Sequence, residues 1–294
     1  MITSFIFAAA AAQASASSTA TIEEPRSDIV VTAALVPISA SQTAASTTLF
    51  DPARIEAMGV TLVPDLIRLS PGVSVSQSGA QGSQTQIRVR GAEANHSLVF
   101  IDGIAFNDVA ANNEARFETF TSAGLGRIEL VRGPQSAFWS SEALGGVIAM
   151  ETPDPLGPLR AVASGEYGSD DFVRGSVAFA SGGQTAGVSG TATWARSDGI
   201  DILGRGSGDT DGFENLTLSL KGVLRPTPDG EIGLVGRYIH HDAQFDGTDP
   251  VTFLRADTRD SSVAETYAVR GWARLGLAAD APWMSGSMHS IWTA

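Results

Sequence analysis

The chain of 294 residues contains no cysteine. Disulfides and thiolate metal sites are therefore excluded. Positive charge is scarce: 19 Lys and Arg stand against 32 Asp and Glu, for a net charge of -13. A surface of that sign repels phosphate, so nucleic acid is not an expected partner. The sequence also lacks H-E-x-x-H, G-x-S-x-G and a P-loop, and an enzymatic reading has no residues to rest on. No apolar run reaches the roughly 18–20 residues of a spanning helix. The longest lies near residue 5. A membrane position would have to be reached with the strands of a barrel.

Three regions separate along the chain. Residues 1–45 are small, polar and irregular, residues 46–155 mix short strands with helical pieces, and residues 158–294 alternate with period two. Residues 1–16 read as an export signal. Phe5 to Ala12 gives the apolar core, and Ala12-Gln13-Ala14 or Ala14-Ser15-Ala16 gives a small-x-small cleavage site, although no Lys or Arg precedes the core. In the middle region Asp51-Pro52 opens one helix and Val63-Pro64 a second, since proline suits the first helical turn. Strands are expected from Gly72 to Ser76, at Ile87 and Val89, from Leu98 to Ile101, from Glu129 to Val131 and from Gly145 to Met150. Asp102-Gly103 between apolar runs predicts a tight hairpin turn.

The last region predicts strands near 159–167, 171–181, 185–197, 214–226, 230–245, 263–278 and 283–294. Connections 182–184, 227–229 and 279–282 are short, whereas 198–213 and 246–262 are long. Leu216, Leu218, Leu220 and Leu224 alternate with Thr217, Ser219 and Lys221, giving one apolar and one polar face. An apolar face can meet a second sheet or lipid, and periodicity alone leaves both open; a secreted β-rich binding module fits the same alternation. The loop lengths favour a membrane barrel, as do aromatic rings expected near strand ends at Tyr167, Trp194, Tyr238, Trp283 and Trp292.

Two blocks carry a family resemblance. Residues 86–108 read QIRVRGAEANHSLVFIDGIAFND, and residues 127–152 read RIELVRGPQSAFWSSEALGGVIAMET. Together they resemble the plug domain of TonB-dependent outer-membrane receptors, and the likeness runs from about Asp28 to about Asp280. It implies an α+β plug (46–155) followed by antiparallel strands of an incomplete transmembrane β-barrel (158–294), in a cell outer membrane of a Gram-negative bacterium. Barrels of this class close with about 22 strands, and seven are read here, so the chain is expected to be an N-terminal part. The implied activity is TonB-dependent import of a scarce nutrient chelate, cobalamin or a ferric siderophore, with ExbB and ExbD energising TonB.

The resemblance also implies roles. Asp28, Ile29, Val30, Val31, Thr32 and Ala33 resemble the TonB box, a segment a periplasmic partner grips by strand addition. Arg88, Arg90, Glu129 and Arg132 would join plug to barrel wall, because buried charge must be paired. Ser78, Gln81, Ser83, Gln84, Asn107 and Asn112 would face outward and touch a polar ligand. Asp201, Asp209, Asp211 and Asp246, on two neighbouring long loops, resemble the calcium-binding loops of the vitamin B12 receptor branch. No cofactor is required, and Ca²⁺ in these outer loops is a candidate.

Overall fold

The structure is a computed structural model that describes residues 29–30, 38–39, 45–137, 139, 141–204, 209–275 and 284–293. The export signal at 1–16 lies outside the described residues, as do Asp28, Val31, Thr32 and Ala33. Of the TonB-box-like segment, β1 (Ile29–Val30) pairs antiparallel with β2 (Ile38–Ser39).

The plug begins with β3 (Ser46–Phe50), a strand the sequence pattern did not announce. Next comes α1 (Pro52–Met58), capped by Asp51, whose Oδ1 accepts the Arg54 backbone N–H at 2.8 Å. Proline at the start and left-handed Gly59 at the end bound this helix as its sequence predicts. α2 (Val63–Ile67) buries Val63, Pro64, Leu66 and Ile67. The hairpin β4 (Val73–Gln77) and β5 (Thr85–Val89) follows, then β6 (Ser97–Ile101) and β7 (Ile104–Ala105). Two short strands, β8 (Asn107–Asp108) and β9 (Glu114–Ala115), precede β10 (Arg127–Arg132) and β11 (Gly146–Glu151). A five-stranded sheet runs β3-β10-β11-β6-β7, with β11 and β6 parallel and the other pairs antiparallel. Its core is aliphatic and aromatic: Phe50, Leu66, Ile67, Ile87, Ile101, Ile128, Leu130 and Ile148 are fully buried. Burial of this kind, at roughly 1.5–3 kcal/mol per large side chain, is what holds a small α+β unit together.

The second unit is a meander in which each strand pairs with the next: β12 (Arg160–Tyr167), β13 (Val173–Gly182), β14 (Ala186–Ile200), β15 (Asp211–Thr227), β16 (Gly230–Phe245), β17 (Asp260–Leu275) and β18 (Met284–Thr293). Alternate side chains divide as the sequence pattern predicts. One face carries Val188, Trp194, Leu218, Leu220, Leu224, Ile232, Leu234 and Val269, all exposed. The opposite face carries Ser189, Thr191, Thr193, Asn215, Thr217, Ser219, Arg237 and His241, all buried.

The exposed apolar face is ordered in rows across the strands. In register order, Ala186, Leu224, Ile232 and Ala273 form its lowest row, and Trp194, Leu216, His240 and Glu265 form a row eight residues higher. That interval is ~27 Å along a strand and ~20 Å along the normal of a tilted barrel, close to the apolar band of an outer-membrane wall. Trp194 and Tyr238 are not at strand ends, because β14 and β16 continue beyond the band. They sit at its upper margin, where Tyr238 and Tyr267 stack at 4.9 Å. Trp283 lies outside the described residues.

Candidate functional site

A cavity of about 260 Å³ opens where the plug meets the outer half of the sheet. The loop between β4 and β5 supplies Ser78, Ser83 and Gln84; the stretch after β8 supplies Glu114, Arg116 and Glu118; the sheet supplies His241, Ala243 and Phe245. The loop is held by its own hydrogen bonds. Ser83 Oγ donates to Ala80 O at 2.7 Å, and the Ser78 N–H donates to Gln84 O at 3.0 Å. Gly82 adopts φ +94°, and a Cβ there would lie 2.5 Å from the Phe213 side chain. Only glycine lets this loop approach the wall so closely.

The wall grips the loop through His241. Its Nε2 donates to Gly82 O at 2.8 Å, which leaves Nδ1 as the acceptor for the Asn215 amide at 3.3 Å. That pairing fixes the neutral tautomer. Asn215 also donates to Thr119 O at 3.0 Å. Burial pushes the Glu118 carboxyl above its usual range, partly opposed by hydrogen bonding from the backbone, including the Thr85 N–H at 3.1 Å.

The expected ligand residues divide. Ser78, Ser83 and Gln84 line the cavity, and Gln81 is exposed on the same loop. Asn112 is exposed on the 109–113 turn, with φ 56°. Asn107 is a correction. Its Oδ1 accepts the Val99 N–H at 2.9 Å, and its Nδ2 donates to Ser97 O at 3.0 Å and Asn113 O at 2.9 Å. That amide braces the plug. Arg116, Glu118 and His241 were missed, since a lone charged residue in a sequence gives no sign of facing a cavity.

The seat of the plug also differs from expectation. Arg132 spends its guanidinium on plug carbonyls, reaching Pro71 O at 2.6 Å and Thr47 O at 3.2 Å. Arg88 donates to Gln86 Oε1 at 2.8 Å, and exposed Arg90 lies against Gly72 and Gly133. These three arginines organise the plug, and other residues meet the wall. Glu129 pairs with Arg127. The junction itself is built from polar side chains of the sheet and its long loop donating to plug carbonyls: Ser189 to Pro153 at 2.8 Å, Arg174 to Val60 at 2.9 Å and, from the loop after β16, Arg255 to Ser78 at 3.0 Å. Deeper in, Asp102 in the β6–β7 turn accepts Lys221 Nζ at 2.9 Å and both the N–H and the hydroxyl of Thr152. Arg270 Nη1 donates to Asp102 O at 2.9 Å across Gly103, whose missing side chain makes the room.

Above the cavity the two long connections bring carboxylates together. Asp209, Asp246 and Asp257 offer oxygens within 4.8 Å of one another. Asp201 and Asp211 belong to the same electrostatic neighbourhood. Buried Asp211 Oδ2 and Asp209 Oδ1 have no hydrogen-bond partner. Unsatisfied carboxylate oxygens among like charges suit a hard divalent cation. Asp257 was not foreseen; it stands eleven positions beyond Asp246 in the same loop.

Comparison with known proteins places this geometry. Residues 39–147 match the family model of the TonB-dependent receptor plug domain. The chain is 33% identical over 194 residues to the vitamin B12 transporter BtuB of Vibrio vulnificus (strain YJ016), covering 65% of this chain and 31% of that protein. The structure of the P. aeruginosa receptor FpvA bound to heterologous pyoverdines superposes with TM-score 0.71 at 16% identity, over 87% of this chain and 35% of that one. The alcaligin outer-membrane receptor FauA of Bordetella pertussis gives 0.63 at 18%, over 86% and 40%. The chain thus spans about a third of the length of such proteins. The matched proteins are receptors and transporters rather than enzymes, and FauA is an outer-membrane receptor.

Proposed function

We propose that this chain, whose residues 39–147 match the TonB-dependent receptor plug domain, forms part of a receptor that captures a scarce nutrient chelate at the cell surface and imports it to the periplasm. The observation that carries this reading is the cavity between plug loop and wall, lined by polar and apolar side chains alike. The plug occupies the route inward, so import requires it to move or partly open. TonB, energised by ExbB and ExbD, would grip residues 28–33 as an added strand and pull. The polar plug–wall junction supports this, since hydrogen bonds to water can replace those it breaks with little apolar penalty. Deletion of residues 28–33 is expected to abolish uptake and leave surface binding intact; uptake that survives the deletion contradicts the assignment.

For the ligand, we favour a corrinoid over a ferric siderophore. The relative that supports this transports vitamin B12; the cavity carries Glu114, Arg116 and Glu118, and the long loops carry Asp209, Asp246 and Asp257. Ca²⁺ held by Asp209, Asp246 and Asp257, with Asp211 and Asp201 beside them, would neutralise the rim and tie the two loops together. Cobalamin binding is expected to weaken when calcium is chelated and to recover on its return; an affinity indifferent to chelator removes the calcium proposal.

A further inference from the structure

A second charged cluster lies deep between wall and plug, away from the ligand cavity. Lys221, Arg237 and Arg270 project inward from β15, β16 and β17. In the sheet register Ser219 is directly opposite Arg237, and Lys221 and Arg270 flank Val235 on either side. The three cations therefore come from adjacent strands within two neighbouring rows. The plug side offers them the Asp102 carboxylate, already engaged by Lys221 and Thr152; Glu151 also acts on Lys221 and Glu231 on Arg270, whereas Asp102 is the carboxylate that acts on Arg237.

The donors outnumber their acceptors. Arg237 is 7% exposed, and its Nε and Nη1 have no hydrogen-bond partner. Arg270 Nε and the hydroxyl of buried Ser219 are likewise unpartnered. Unpaired guanidinium nitrogens at this depth are costly, and water answers the hydrogen bonds but leaves the charge of Arg237, whose one carboxylate is already paired with Lys221, without a counter-charge of its own. An anion answers both.

We propose that Arg237, Arg270 and Ser219 form a buried site for a small monovalent inorganic anion of the halide class, which with Asp102 completes the charge balance of the plug seat. Its neighbours on the sheet are β15 and β17, and the β6–β7 turn reaches it through Arg270 and Asp102. It is independent of which nutrient the receptor carries.

The test uses the full chain purified in detergent. Crystals soaked in bromide are expected to give an anomalous peak within hydrogen-bonding distance of Arg237 Nε or Nη1. In solution, the unfolding midpoint is expected to rise as chloride replaces gluconate at fixed ionic strength, by the usual linkage of a ligand bound only to the folded state. Arg237→Met is expected to abolish that chloride dependence, whichever way it moves the midpoint itself. Should this variant fail to fold, Ser219→Ala, which keeps the charge, is expected to weaken the dependence. Water alone beside Arg237, bromide only at exposed surface positions as an adventitious ion, or a midpoint indifferent to chloride would each overturn the proposal.

Discussion

The plug and the strand sheet bury their apolar residues in opposite ways. The plug encloses Phe50, Leu66, Ile101, Ile128, Leu130 and Ile148 within its own layers. The sheet turns Leu218, Leu220, Leu234 and Val269 away from the protein and lays Ser189, Thr193, Asn215 and Thr217 against the plug. Val235, Ile239 and Ala268 are the wall's main contribution to the shared core. A unit with its own core can stay folded while it shifts; a wall without one depends on lipid outside and on a partner inside. The import proposed for this chain, in which the stopper must move, needs that asymmetry.

The largest predicted effect attacks the joint between the two regions. Asp102→Ala leaves Lys221, Arg237 and Arg270 without their carboxylate and is expected to cost about 3–5 kcal/mol, read as a lowered urea midpoint for release of the plug. Leu130→Ala, inside the plug, is expected to cost about 2–5 kcal/mol in the same titration, with the wall still folded. Leu220→Arg on the outward face is expected to cost about 2–4 kcal/mol in liposomes and little in loss of plug contacts. Asn107→Ala leaves the Val99 N–H and the Ser97 carbonyl unanswered and is expected to cost about 1–3 kcal/mol. Gln81→Ala, exposed on the loop tip, is expected to stay within about 0.5 kcal/mol, so any loss of ligand affinity there reports contact rather than folding.

The wall was the more legible half. Strict alternation fixed strands such as β16, found at Gly230–Phe245 as read, because a strand with one lipid face and one polar face must alternate. In the plug, Asp51-Pro52 and Asp102-Gly103 announced a helix start and a hairpin turn through local chemistry alone. β3 escaped notice because Ser46–Phe50 is an edge strand with a single buried apolar side chain. The parallel pairing of β11 with β6 is equally invisible, since nothing local in either strand names its partner. The same limit misled the reading of the seat. Charge beside a glycine turn marked Arg88, Arg90 and Arg132 as wall contacts, yet sequence does not say what a long side chain reaches. The better signal was already present in the polar face of β14 and β15, whose Ser189, Thr193 and Asn215 make the junction.

The two-faced wall is tested most directly by spin labels placed one at a time along residues 216–224 of the intact protein in liposomes. Labels at even positions should be reached by oxygen dissolved in the bilayer and shielded from a water-soluble nickel reagent, while odd positions should be immobile against the plug. Loss of that two-residue rhythm, or nickel access at 218 and 220, would contradict the account.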